Sequence, residues 1–240
     1  MWGINSKMDY NCLDFSNHIH VTGEARSGTT LMKNLFRCYN GTLVVAAESS
    51  PNLLNAFTGT KEERDFILSQ KHLRVVTKLP YSCSKCTPFT TENYPNLTNV
   101  VYVVRDPRDI VTSLHGGLRP DVKGPYSWWR REELFNQYPK TIDSLPVYFL
   151  KVKYEDVILN SARVQEYLSS AFNLDIVVPF SSWHLLEDNE GVFSKAMHGI
   201  RPLSPESISR WKTSIYADEI NSLVSVNSFL QEWLIKWGYS

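Results

Sequence analysis

The stretch HIHVTGEARSGTTLMKNLFRC, residues 18–38, reads as a buried strand, a glycine-bounded turn and an amphipathic helix. The turn, residues 23–30, keeps the spacing of a phosphate loop of the form G-x-x-x-x-G-K-[ST]. Thr29 stands where that pattern has lysine, and the nearest cation is Arg26, inside the loop. Backbone N–H groups of such a loop, together with the positive end of the helix that follows, form an anion cradle. Gly28 lets the main chain come close to a ligand, while Ser27, Thr29 and Thr30 add hydroxyls. Arg26 adds a planar fork of donors suited to a doubly anionic group. A plain strand-to-helix turn needs one capping Ser or Thr, not Arg-Ser-Gly-Thr-Thr in a row.

Outward from this stretch, short apolar or β-branched runs alternate with amphipathic ones. HIHVT (18–22), TLVVAA (42–47), LRVVTK (73–78), NVVYVV (99–104) and VYFLKV (147–152) read as buried strands. Helical patterns fall at about 28–40, 61–71, 107–116, 127–138 and 155–172. This alternation predicts an α/β fold: a parallel sheet of about five strands between helices on both faces, with right-handed crossovers. From about residue 181 the chain is expected to be mostly helical. Ser204 caps a helix opened by Pro205 and Glu206, and Ile220, Leu223, Val224, Leu230, Leu234 and Trp237 mark a helix packed back on the body.

The chain has 240 residues, enough for one sizeable domain. Lys plus Arg equals Asp plus Glu at 25 each, so no overall basic field implies a nucleic-acid partner, and any anion site is local. No apolar run is long enough to span a bilayer, and the N-terminus lacks a signal-peptide pattern. With 4 cysteines, too few for a disulfide scaffold, a reducing cytoplasm is the expected location. Cys83 and Cys86 form a lone C-x-x-C, a weak zinc signal, and the sequons at Asn40 and Asn96 carry no weight without a secretory signal.

A second basic element follows the fourth strand. In RDPRDIVTS (105–113), Asp106 is placed as N-cap, Pro107 as first helical residue, and Asp109 at the third position of a capping-box-like arrangement. Arg105 precedes the cap and Ser113 lies on the same helical face, so the two could grip one anion; pairing of Arg105 with a neighbouring acid is the alternative. No strand ends in the acidic residue that a magnesium nucleotide site requires.

GEARSGTT (23–30) and VVRDPRDIVTS (103–113) resemble the 5′-phosphosulfate loop and the 3′-phosphate motif of the sulfotransferase family. VKYEDV (152–157) is similar to that family's Y-E-D segment, and the resemblance extends through SRWKTSI (209–215) to the terminal WGY. It implies a P-loop-type three-layer fold over a single domain, 1–240. Residues 1–17 are an extension, and 181–240 close the nucleotide site. The implied donor is 3′-phosphoadenosine 5′-phosphosulfate (PAPS), with no metal, and the implied partner is a hydroxyl-bearing acceptor. No residue reports the oligomeric state.

By this resemblance Arg26, Ser27, Gly28, Thr29 and Thr30 bind the 5′-phosphosulfate, and Arg105 and Ser113 bind the 3′-phosphate. Tyr154 contacts the adenine or packs under the sheet. Arg210, with Lys195 or Arg201, closes over the 3′-phosphate. Lys78 ends LRVVTK before Leu-Pro, similar to the family's K-T-H-L-P stretches, and either stabilises charge on the bridging oxygen or is a solvated strand-end lysine. Small-molecule members use a histidine near that place as base. Tyrosylprotein and some carbohydrate members use a glutamate after the second strand, and RSGTTLM is especially like the tyrosylprotein branch. VVAAESSPN puts Glu48 there, either as base or salt-bridged to the loop arginines, while His115 and His198 lie outside the motifs. Glu24 departs from the family's loop start and is expected to point away.

Three readings follow: sulfuryl transfer, a kinase-like nucleotide enzyme, or a non-catalytic nucleotide-binding module. Residues 116–146, with Tyr126, Trp128, Trp129, Arg130 and Arg131, are expected at the acceptor rim, although the helical spacing of the tryptophans fits core packing equally. A carbohydrate, a peptide tyrosine and a small alcohol all fit.

Overall fold

The computed structural model describes residues 18–45, 74–78, 80, 99–113, 128–145, 147–186 and 200–239. Its strands are β1 (His18–Gly23), β2 (Thr42–Val44), β3 (Arg74–Lys78), β4 (Val100–Val104) and β5 (Leu150–Lys153). All neighbours pair in parallel, in the order β2-β3-β1-β4-β5. The register sets Val21 beside Lys78 and Gly23 beside Val103. The phosphate-loop turn, Lys78 and Arg105 therefore leave adjacent strands at the same carboxyl edge, where open α/β sheets bind ligands.

Residues of β4 sort alternately onto two cores. Val101 and Val103 join Ile19, Val21 and Val76 on one face, under α1 (Thr29–Leu35), α4 (Tyr154–Leu159) and α5 (Ser161–Phe172). Val100, Tyr102 and Val104 face the other side. There they meet α2 (Pro107–Thr112), α3 (Trp128–Ser144), α6 (Ala217–Ser225) and α7 (Ser228–Lys236). This is the three-layer α/β architecture expected from the alternation, with β4 buried along its whole length. No described helix is long and apolar enough to cross a membrane.

Several boundaries differ from the sequence reading. β2 ends at Val44, while residues 46–47, the 61–71 pattern and residues 1–17 lie outside the described residues. β5 begins at Leu150, after a turn that exposes Val147 and Tyr148. The helix expected to stop before Pro139 runs on to Ser144. Proline removes one helical N–H, but Leu134, Phe135, Tyr138 and Ile142 are all buried, so tertiary packing outweighs the local penalty. The pattern at 155–172 splits at Asn160, whose backbone (φ −127°, ψ 39°) is not helical.

In the C-terminal part Ser204 does cap, accepting from the Glu206 N–H at 3.3 Å, but only a single tight turn follows (Pro205–Ser207). A second tight turn spans Arg210–Thr213. Asn227 then divides the last helical stretch by accepting from the Leu230 N–H at 2.9 Å, which makes it the cap of α7.

Candidate functional site

The loop between β1 and α1 is shaped by backbone rather than by side chains. Gly23 has φ +149°, and a Cβ there would lie 2.6 Å from the Val103 carbonyl and 2.8 Å from Ser27 Oγ. The absent side chain lets Ser27 fold inward, where it is fully buried. The Ser27 N–H closes a turn on Glu24 O at 3.0 Å, and Glu24, also fully buried, accepts from the Ala25 N–H at 3.2 Å. Glu24 thus folds back into its own loop. Arg26 takes a left-handed conformation (φ 74°), rare outside glycine. Gly28 follows at φ 102° as the cap of α1, half-exposed like Thr30. The first N–H groups of α1 have no partner within the helix and lie at the mouth of this turn.

Lys78 is buried, not solvated, and donates from Nζ to Thr30 Oγ1 at 2.9 Å. It thereby joins the end of β3 to the start of α1. From the other side Arg105, likewise buried, donates from Nη1 to Arg26 O at 2.9 Å and from Nη2 to Ser207 O at 2.8 Å. Ser113 caps α2 and receives the Arg26 Nε–H at 3.3 Å. Arg26 and Arg105 therefore belong to one crevice. Ser113 meets Arg26 there instead of sharing a contact with Arg105.

Tyr154 is packed between these parts. The Arg105 guanidinium lies 4.3 Å above its ring, and a Cβ on Gly28 would come within 2.4 Å of the same ring. Gly28 therefore makes room for the Tyr154 ring, which packs between Gly28 and the Arg105 guanidinium. Arg210 and Arg201 are exposed. Glu48, Lys195, His115, His198, Cys83 and Cys86 lie outside the described residues, as do Tyr126 and the side chains of Trp128, Trp129 and Arg130. Arg131, expected at the acceptor rim, is buried instead; it donates to Glu219 at 3.1 Å and lies 4.1 Å from the Tyr216 ring.

The carboxylates of the second motif divide their work in a way the capping-box reading missed. Asp106 is the N-cap, accepting from the Arg108 N–H at 2.9 Å and pairing with the Arg108 guanidinium at 2.8 Å. Asp109 does not reach back to the cap. The Asp106 N–H goes to Glu155 at 3.1 Å, and Asp109 accepts from the N–H groups of Ser209 (2.8 Å) and Trp211 (3.0 Å). Burial pushes both Asp109 and Glu155 above the ordinary carboxylate range, against the pull of Arg105 and their N–H donors.

Glu155 also receives the Tyr239 hydroxyl at 3.1 Å, and Arg108 donates to the Tyr239 carbonyl, closing a ring of four residues behind Arg105. The Arg105 N–H is held in turn by the Tyr138 hydroxyl at 3.0 Å. The Y-E-D and WGY segments were visible as motifs. Their meeting was not, because the partners stand 84 residues apart.

No family model matches the chain, and no curated protein matches it. Solved structures do. The sulfotransferase domain from the curacin biosynthetic pathway is similar with a TM-score of 0.62 at 12% identity, covering 92% of this chain and 97% of that one. For the sulfotransferase domain of the Synechococcus PCC 7002 olefin synthase the TM-score is 0.56 at 13% identity, with 87% and 94% covered. Mouse sulfotransferase SULT7A1, complexed with PAP, reaches 0.50 at 12% identity, with 91% and 88% covered. The chain has the α/β fold of the sulfotransferases, along nearly its whole length.

Proposed function

We propose that this chain is a sulfotransferase that moves a sulfuryl group from PAPS to a hydroxyl acceptor. The observation that carries the reading is the Arg105–Arg26 contact, which closes two basic elements around one crevice. Arg105 Nε is buried without a hydrogen-bond partner among the described residues, so its fork has a donor left for an anion. The mouse protein of the same fold is complexed with PAP, which supports a nucleotide of that class.

When bound, the donor would supply an SO₃ group on a good leaving phosphate. The chain's part is positioning and charge stabilisation. In this reading the N–H groups at Gly28, Thr29 and Thr30, with Arg26, hold the 5′ end, while Ser27 shapes the loop from inside. Arg105 holds the 3′-phosphate, with Ser113 steadying Arg26, and Tyr154 is the platform under Gly28 and Arg105. Lys78, beside Thr30, stabilises negative charge as the S–O bond to the donor breaks. Glu48 accepts the proton of the acceptor hydroxyl as the new S–O bond forms. Residues 200–213, with Arg210, close the 3′ side.

Labelled-sulfate transfer from PAPS to a panel of oligosaccharides, tyrosine peptides and small alcohols tests the proposal. Labelling of one acceptor class is expected. Lys78→Ala should then lower the transfer rate roughly 10²-fold while PAP binding is retained, as for a lost oxyanion donor. Tight PAP binding with no transfer to any acceptor would identify a non-catalytic nucleotide module.

A further inference from the structure

The backbone of residues 204–213 is strapped to the second basic motif, and Asp109 supplies two of the bonds. Ser207 O accepts from Arg105 Nη2 at 2.8 Å. Two residues on, the Ser209 N–H reaches one oxygen of Asp109 at 2.8 Å, and the Trp211 N–H reaches the other at 3.0 Å. Asp109 is 2% exposed, so these bonds form where water cannot substitute for them. Ser209 sits at φ 57°, a left-handed conformation costly for a non-glycine residue, which persists where surrounding contacts over-determine it. Trp211 is buried below, with the Arg108 guanidinium 4.3 Å from its ring.

These contacts fix the strap relative to the start of α2, where Arg105 and the cap Asp106 lead into a first turn that carries Arg108 and Asp109. The one residue between the two clamped amides is Arg210, exposed at the surface. A buried carboxylate that holds neighbouring N–H groups on both sides of an arginine sets where that arginine's side chain begins. Both oxygens of Asp109 accept hydrogen bonds from the strap, and its charge also acts on Arg105 at the head of the same helix.

We propose that Asp109 is a positioning residue for recognition of the 3′-phosphate: it holds the strap, and Arg210 with it, over the phosphate gripped by Arg105. The inference rests on the PAPS reading above. In that reading the 5′ group is held by the β1–α1 loop, which Asp109 does not touch, so the two ends of the nucleotide are separable. Asp109 then determines the preference for adenosine 3′,5′-bisphosphate over adenosine 5′-monophosphate, a difference of two affinities rather than a single one.

Calorimetric titration of the full chain with both nucleotides tests this. Wild-type protein that fails to prefer the bisphosphate contradicts the donor reading itself. With that preference present, Asp109→Ala and Asp109→Asn should weaken bisphosphate binding roughly 10-fold or more, the size of one or two lost charge-assisted bonds. Monophosphate binding should stay within roughly 2-fold. Ser209→Gly, which keeps the N–H and eases φ 57°, should keep the preference. Hydrogen exchange on the wild type gives a readout independent of the variants' folding. The Ser209 and Trp211 amides should gain protection with the bisphosphate and not with the monophosphate. Equal weakening for both nucleotides, an unchanged preference in the Asp109 variants, or equal protection by the two ligands would overturn the assignment.

Discussion

Thr77 Oγ1 lies 2.6 Å from His18 Nε2 and 2.9 Å from His20 Nδ1. A hydroxyl can donate to only one of them, so at least one imidazole donates its N–H to Thr77. Burial pushes His18 down to about 4 and His20 well below the usual histidine value. Both are neutral in the folded chain, whereas in the unfolded chain they take up protons below about pH 6.5. Stability is therefore lost as pH falls from about 6.5 towards 4. Asp109 and Glu155, raised by burial, act in the opposite sense and favour the folded state on acidification. The histidine effect is isolated as a difference between proteins. In urea unfolding near pH 7 and near pH 5, wild type should lose about 2 kcal/mol more than His18→Asn. Parallel pH dependence in the two would exclude the effect. The basic residues of the loop and of the second motif could be read one at a time, since each sits inside a local pattern. The inward turn of Ser27 could not, because it depends on the bare Cα of Gly23 next to the Val103 carbonyl on another strand.

At the scale of elements, what is local in sequence was legible. Asp106-Pro107 at the head of α2 is an N-cap by pattern and by structure. Asp109 satisfies the same pattern, yet its partners are 100 and 102 residues away, and no periodicity reports contacts at that distance. Persistence of α3 through Pro139 has the same cause, a core contact set invisible to local propensity. The C-terminal WGY is the reverse case, a motif seen without its purpose. Its structural purpose is to complete the ring of Asp106, Arg108 and Glu155 behind Arg105. Tyr239→Phe leaves the Glu155 carboxylate buried without its hydroxyl donor and should lower unfolding free energy by about 1–3 kcal/mol. Tyr148→Phe, at a half-exposed ring, should stay within about 0.5 kcal/mol. Equal denaturation midpoints for the two variants would show that the Tyr239 hydroxyl contributes nothing to stability.

At the scale of the whole molecule, alternating strand and helix patterns carried the parallel sheet with helices on both faces. Strand order was beyond them, because β1 pairs with β3 and β4 across long connections. That order is what makes the site. With β1 in the centre, its loop is flanked by Lys78 from β3 and by Arg105 from β4, so cations distant in sequence converge at one sheet edge. In a chain whose charges balance overall, this convergence gathers cations at one edge of the sheet. The most direct measurement of the central claim is a calorimetric titration with adenosine 3′,5′-bisphosphate set against ATP with Mg²⁺. The account predicts saturable binding of the bisphosphate, weakened when Arg105 is replaced by alanine, and little or none of ATP with Mg²⁺. Binding of ATP with Mg²⁺ alone, or bisphosphate binding indifferent to Arg105→Ala, would contradict it.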